Sequence, residues 1–318
     1  MKIVILDGYT INPGDLSWKG FSAFDNFAVY DRTLPEQTRD RIEGATAVLT
    51  NKVVLDRGII SSSPELKYIG VLATGYNVVD IDAANEAGIT VTNVPSYSTA
   101  SVAQLVLAHL LNIVNGVDLH VREVARGAWS RSPDFSFCLS CQIELSGKTM
   151  GIIGFGRIGQ KVAALATAFG MKVIFNNRSV RRGTPYQQVS LEELLRRSDV
   201  VSINCPLTSG NKGFINKETL GLMKRNAILI NTGRGQLIQE EDLAEALNNG
   251  QIFAAGLDVL SQEPPRENPL LSAKNCFVTP HIAWATTEAR QRLIEIALSN
   301  FEAYLNGKPQ NVVNNPHF

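Results

Sequence analysis

Two α/β domains, each built on a mostly parallel sheet, are what this sequence predicts, and three observations predict it. At 318 residues the chain is long for a single core and suits two. Short apolar runs alternate with polar stretches of helical pattern, the arrangement that yields parallel strands joined by helices. The alternation occurs twice, before and after one long apolar helix near residue 100.

Composition bounds the partners. The chain is 44% hydrophobic and 19% charged, and 30 Lys and Arg balance 30 Asp and Glu. No net field draws nucleic acid or an anionic membrane, so neither partner is expected. The opening MKIVILDGYT reads as a first strand, too short in its apolar run for a signal segment. No stretch of eighteen apolar residues suggests a span. Cys138, Cys141, Cys205 and Cys276 are too few for a disulfide scaffold, and a soluble, cytoplasmic protein is expected.

In the first unit, KIVIL (2–6), FAVY (27–30), AVLT (47–50), KYIGVL (67–72) and ITVTNV (89–94) read as strands. PEQTRDRIEG and DIDAANEAG read as helices, the second ended by Gly88. The long helix SVAQLVLAHLLNIVNGVDLH follows, with Ser101 and Gln104 at capping-box spacing. RGAWSRSPDFSFCLSCQIEL is irregular and aromatic. From Thr149 the second unit supplies strands in KTMGIIGFG, MKVIF, DVVSINCP, NAILINTG, FAAGLDV and NCFVTPH. Its helices include SLEELLRRSD, with a Ser190–Glu193 capping box, and EEDLAEALNNG, ended by Gly250. The amphipathic tail helix TTEARQRLIEIALSNFEAYLNG could pack on either unit.

GFGRIG places Gly154, Gly156 and Gly159 between a strand and a helix. The first glycine permits a tight turn, the second lets a pyrophosphate approach the backbone, and the third packs helix on strand. The helix N-terminus adds free N–H groups and partial positive charge, so a dinucleotide site is expected. An acid that binds the adenosine ribose is expected about 20 residues further on. Asn177 stands eighteen residues beyond Gly159, followed by Arg178 and Ser179. An amide removes the repulsion an acid would exert on a 2′-phosphate, and a guanidinium suits its oxygens. NADP(H) is therefore expected over NAD(H). The competing reading makes Arg178, with Arg181 and Arg182, an ordinary solvated surface.

Three further strand ends carry polar residues: Arg234 in INTGRGQLI, Glu263 in DVLSQEPP and His281 in VTPHIAW. Residues beyond the carboxyl ends of parallel strands face the ligand crevice. Arg234 can grip a carboxylate, His281 can exchange protons near neutrality, and Glu263 can hold the second ring N–H of the imidazole. Each alone has a bland reading as a surface charge, a loop acid or a satisfied core histidine. His109, inside the apolar face of the long helix, His120 at its end and His317 in the tail are assigned to structure, His109 with a possible interface contact.

At this point ATGYNVVDIDAANEAGITVTNVP, GIIGFGRIG, NCPLT, INTGRG, GLDV and TPHIAWAT together make the chain resemble the D-isomer-specific 2-hydroxyacid dehydrogenases. The likeness runs through nearly the whole chain in the family's order, and ILDGYT, ATGYN and HIAW are most similar to its glycerate dehydrogenase branch. It implies two Rossmann/flavodoxin-like domains with the active site in a cleft: residues 1–98 with 286–318 for substrate, and 99–285 for the dinucleotide. It implies reversible reduction of hydroxypyruvate or glyoxylate to the D-hydroxy acid. Arg234 would bind the carboxylate, His281 would protonate the keto oxygen and Glu263 would support it.

By the same resemblance, Ala73, Thr74 and Gly75 would hold the carboxylate through backbone N–H groups, with Asn51, Lys52 and Trp284 nearby. Asp258 would bind the nicotinamide amide, and Cys205 and Pro206 would lie beside the adenine half. Arg157 and Ile158 would contact the pyrophosphate, and Thr232, Gly233 and Ala283 would complete the cofactor's surroundings. No metal is implied. The family's arm, here with Trp129, Phe135 and Phe137, implies a homodimer, and Cys138-Leu-Ser-Cys141 is taken as structural. The end at Phe318 argues against the longer phosphoglycerate dehydrogenases, and His281 with Glu263 against the formate dehydrogenase branch. The alternative is a non-catalytic dinucleotide sensor of the corepressor kind on the same fold.

Overall fold

The computed structural model describes residues 1–24 and 26–315, so His317 lies outside the described residues. The chain divides into unit 1, Met1–Ser98 with Ala285–Phe318, and unit 2, Thr99–Trp284. The five strands of unit 1 are β1 (Lys2–Ile5), β2 (Asn26–Val29), β3 (Ala47–Thr50), β4 (Tyr68–Val71) and β5 (Thr90–Thr92). They form a wholly parallel sheet in the order β2-β1-β3-β4-β5. Helices α1 (Thr38–Ile42), α2 (Arg57–Ser61) and α3 (Ile81–Glu86) connect them, the last two capped by Asp56 and Asp80, whose side chains accept the Ile59 and Ala83 N–H groups.

Unit 2 opens with α4 (Thr99–Asn115) and α5 (Val117–Ala125). Then come β6 (Thr149–Ile153), α6 (Arg157–Ala168), β7 (Lys172–Asn176), β8 (Gln187–Gln188), α7 (Leu191–Arg197) and β9 (Val200–Ile203). It closes with α8 (Lys217–Gly221), β10 (Ile228–Asn231), α9 (Glu240–Asn248), β11 (Ala254–Leu257) and β12 (Cys276–Val278). The seven parallel strands run in the order β12-β11-β10-β9-β6-β7-β8. Strand order reverses between β6 and β9, and a crevice for ligands opens at the carboxyl ends of strands at such a point.

Side chains alternate across this sheet, as the two-residue period of a strand requires. Leu229 joins a core with Val201, Ile203 and Leu243, whereas Ile228 and Ile230 join Val106, Leu110, Val162 and Phe175 on the other face. Both faces are covered, so strands such as ILIN are buried at every position rather than at alternate ones.

The last helix, α10 (Thr287–Leu305), belongs to unit 1, which settles the packing left open by its sequence. Phe301 lies 5.1 Å from the Tyr68 ring and 6.3 Å from Phe21, closing one face of the sheet. Arg290, buried, donates to the Ile11 carbonyl at 2.9 Å and pairs with Asp15 at 2.6 Å.

Two expectations are corrected. The helix begins at Thr99, so Ser101 lies inside it, and the Ser101–Gln104 capping box does not form. Ser101 instead donates to the Ala283 carbonyl at 2.5 Å. The expected single helix is two, bent by 57° where Gly116 adopts φ +55. His109, assigned to structure, is buried within unit 2. Among the described residues no single helix is long and apolar enough to cross a membrane. The bent α4–α5 pair passes that test together, with much of α4 buried in the core of unit 2.

Candidate active site

The glycine cradle is built by contact. At Gly154, φ +92, a Cβ would stand 2.5 Å from the Cys205 nitrogen and 2.7 Å from the Asn204 carbonyl carbon. At Gly159 it would stand 2.3 Å from the Gly154 oxygen. Both positions therefore exclude any side chain. Gly156, which caps α6, is different: a Cβ there would meet nothing within 4 Å. The protein's own packing does not require glycine at 156, and the open space suits a phosphate arriving at the helix N-terminus. The cradle fits a dinucleotide.

Past β7, Asn177 is occupied locally. Its Oδ1 accepts the Phe155 N–H at 3.2 Å, and its Nδ2 donates to the Ser179 carbonyl and hydroxyl at 3.0 and 3.1 Å. Gln188 holds the same turn, donating to the Asn177 and Ser179 carbonyls and accepting the Arg181 N–H. Arg178 and Ser179 are exposed, and among the described residues the Arg178 guanidinium makes no hydrogen bond or ion pair. Across the cradle, the Cys205 thiol is pushed up in pKa by burial, and Asn211 donates to the Pro206 carbonyl at 2.9 Å.

After β10, the buried Thr232 leads to Gly233, whose N–H meets the Asn231 Oδ1 at 3.0 Å, and to the exposed Arg234. A Cβ on the next residue, Gly235, would lie 1.9 Å from the Leu260 carbonyl carbon, so this turn is pressed onto the loop that carries Glu263. Glu240, also buried, tethers that loop by accepting from the Ser261 N–H at 2.7 Å and from Asn268 at 2.9 Å.

His281 and Glu263 meet directly. The imidazole Nδ1 lies 2.6 Å from Glu263 Oε2, and Glu263 Oε1 accepts the Leu260 N–H. A carboxylate only accepts, so Nδ1 carries the proton and Nε2 is left facing outward from the pair. Both side chains are partly exposed, within reach of a small molecule. His281 has φ +53, a conformation that side chains other than glycine adopt only when surroundings compel it. Asp258 supplies part of that compulsion: its Oδ1 accepts from Thr279 and the Ile282 N–H, and its Oδ2 from the Ala283 N–H. The Asp258 carboxylate is thus engaged in fixing the 279–283 turn. Trp284, half-buried, follows.

The remaining predicted residues form their own group in unit 1. Asp7, at the end of β1, accepts the N–H groups of Asn51, Lys52 and Val53 at 2.8, 2.6 and 3.3 Å. Asn51 donates to the Leu72 carbonyl at 2.6 Å, tying this loop to the end of β4. Ala73, Thr74 and Gly75 follow, with Thr74 donating to the Val94 carbonyl at 3.0 Å and accepting from Asn93 at its own carbonyl.

Sequence reasoning missed Asp7, Thr279, Gln188 and Glu240. The strand-end rule that found Arg234 would have found Asp7 in KIVILD and Thr279 in CFVTPH. Gln188 and Glu240 bear no comparable signal.

Residues 107–283 match the family model described as D-isomer specific 2-hydroxyacid dehydrogenase, NAD binding domain. A hydroxypyruvate reductase of Blautia hydrogenotrophica is 49% identical over 322 aligned residues, 99% of this chain and 100% of that one. Among solved structures, an acyclic imino acid reductase in complex with NADPH and D-Arg is 33% identical, with a TM-score of 0.85 over 98% of this chain and 100% of that one. An NADPH-dependent glyoxylate/hydroxypyruvate reductase of Sinorhizobium meliloti, in complex with NADP and malonate, is 26% identical, with a TM-score of 0.85 over 98% of this chain and 96% of that one.

Proposed function

This chain belongs to the D-isomer-specific 2-hydroxyacid dehydrogenases, and on that premise we propose that it reversibly reduces a small 2-keto acid, hydroxypyruvate or glyoxylate, to D-glycerate or glycolate. It is a nicotinamide-dependent oxidoreductase. The observation that carries the proposal is the His281–Glu263 pair at 2.6 Å, held at a strand end in the same unit as the glycine cradle.

When bound, the reduced nicotinamide supplies hydride to the keto carbon. His281 gives its Nε2 proton to the keto oxygen and takes it back in the reverse direction. Glu263 accepts the Nδ1–H throughout, keeping the ring oriented and its tautomer fixed. Arg234 grips the carboxylate and polarises the keto oxygen. In unit 1, Lys52 and the Ala73–Gly75 backbone present charge and N–H groups suited to a carboxylate. Gly154–Gly159 and the N-terminus of α6 hold the pyrophosphate, with Thr232, Gly233, Cys205, Pro206, Asp258 and Ala283 around the rest of the dinucleotide.

NADPH is the preferred reductant in this proposal. The strand end that would carry a ribose-binding acid carries Asn177, and the exposed Arg178 guanidinium beside it suits a 2′-phosphate. A homodimer also forms part of it. Val117, Val121 and Val124 make an exposed apolar stripe on α5, and Trp129, Leu139 and the 91% exposed Phe135 are further exposed apolar side chains. The cytoplasm, where unpaired cysteines persist, is the proposed location.

The test is NADPH oxidation with hydroxypyruvate, glyoxylate and pyruvate. Turnover with at least one, falling by roughly 100-fold or more in His281→Ala, is expected. No oxidation with any of them, or near-native turnover in that variant, would overturn the reading.

A further inference from the structure

An apolar helix face is an unfavourable place for an imidazole, yet α4 turns His109 inward among Val106, Leu110 and Ile113. The sheet makes room for it. A Cβ at Gly256, in β11, would lie 2.8 Å from His109 Cβ and 2.9 and 3.0 Å from two of its ring atoms. Seating this histidine therefore dictates glycine on a buried strand.

Its hydrogen bonds can be assigned in direction. Thr279 Oγ1 lies 2.6 Å from Asp258 Oδ1 and 3.1 Å from His109 Nε2. A hydroxyl has one proton, and a carboxylate can only accept, so that proton goes to Asp258. Thr279 must then accept from His109, which fixes the proton on Nε2. Burial keeps the ring neutral, against the pull of Asp258. The chain runs from His109 through Thr279 to Asp258, and from Asp258 to the N–H groups of Ile282 and Ala283. The Thr279 carbonyl meanwhile accepts the His281 N–H at 2.9 Å. The residue in the unfavourable backbone conformation, His281, is thus braced on both sides by groups that end in one buried histidine.

We propose that His109 is a positioning residue for His281, acting through Thr279 and Asp258 and touching neither substrate nor cofactor. The inference rests on the reading of His281 as the proton donor. Its N–H holds the Thr279 hydroxyl in the rotamer that faces Asp258; without it the hydroxyl can turn away, and the 279–283 turn loses its outer brace.

The test compares His109→Phe, His109→Gln, Thr279→Val and His281→Ala in the intact protein. NADPH oxidation is followed with the keto acid, and NADPH binding by its fluorescence. His109→Phe is expected to lower kcat roughly tenfold, the effect of one lost hydrogen bond carried into a rate, with NADPH affinity and the keto-acid KM unchanged. His109→Gln, which restores an N–H donor, is expected to recover most of it. Thr279→Val is expected to match His109→Phe, and the double variant to be no worse, because both break one chain. Should the phenylalanine ring not be accommodated, Thr279→Val and His109→Gln still decide the matter. Native kcat in Thr279→Val, or a glutamine variant with no more activity than the phenylalanine one, overturns the inference while His281→Ala remains inactive. Turnover persisting in His281→Ala would overturn the proton-donor reading and this inference with it.

Discussion

The Nδ1 of His281 lies 2.6 Å from Glu263 Oε2, and the other Glu263 oxygen is occupied by the Leu260 N–H. The carboxylate is therefore anchored before it orients the ring. Glu263→Gln keeps an oxygen for one of these bonds but replaces the other acceptor with an amide NH2, so the two bonds that anchor the carboxylate and orient the ring cannot both be kept. A fall in kcat of roughly 100-fold, with NADPH binding unchanged, is expected. Steady-state rates beside fluorescence titration check it, and a kcat near that of the parent would show that His281 works without its partner.

Arg178 carries the prediction about cofactor choice. Arg178→Ala should lower the ratio of kcat/KM for NADPH over NADH by roughly tenfold, the scale of one charge-assisted phosphate contact, by weakening NADPH alone. An unchanged ratio would return Arg178 to the status of a solvated surface charge.

The α5 stripe makes an assembly prediction. Val121, 60% exposed, stands midway along it, and Val121→Glu should convert a dimer to a monomer in light scattering without lowering the melting temperature. A parent protein that is itself a monomer would refute the assignment.

Stability should depend on pH through His109. Burial holds its folded-state pKa below the ordinary value of 6.5, with Asp258 opposing more weakly. Below that value an unfolded chain takes up a proton that the native site refuses, so stability is lost as pH falls through about 6.5 and levels off below the folded-state pKa. His109→Phe lacks this linkage. Denaturation at pH values of about 7.5 and 5.5 should show a smaller acid loss for the variant than for the parent. Equal losses would place the titration elsewhere.

Much of this was legible because particular residue types admit few explanations. AVLT at 47–50 is the strand the structure shows, bounded by polar residues on an otherwise apolar run. Gly154 and Gly159 could be read because each fills a space that no side chain can share. What escaped notice depends on partners remote in sequence. Ser101 looked like a helix cap, but the helix already begins at Thr99, and the Ser101 hydroxyl serves Ala283, 182 residues away. His109 looked like inert packing because Thr279 lies 170 residues on. Gln187–Gln188 form a short parallel strand beside β7 that nothing in their polarity announces.

The same bond from Ser101 to Ala283 joins two residues within three positions of the ends of Thr99–Trp284. For the polymer, unit 2 begins and finishes at one place, so it behaves as an insert spliced into the sequence of unit 1. A segment with neighbouring termini can be cut out, circularly permuted or grafted with little loop-closure penalty. Removing residues 99–284 and bridging the gap with a few glycines should leave unit 1 all of its strands and its closing helix, and the excised piece should carry its glycine cradle and its histidine with it.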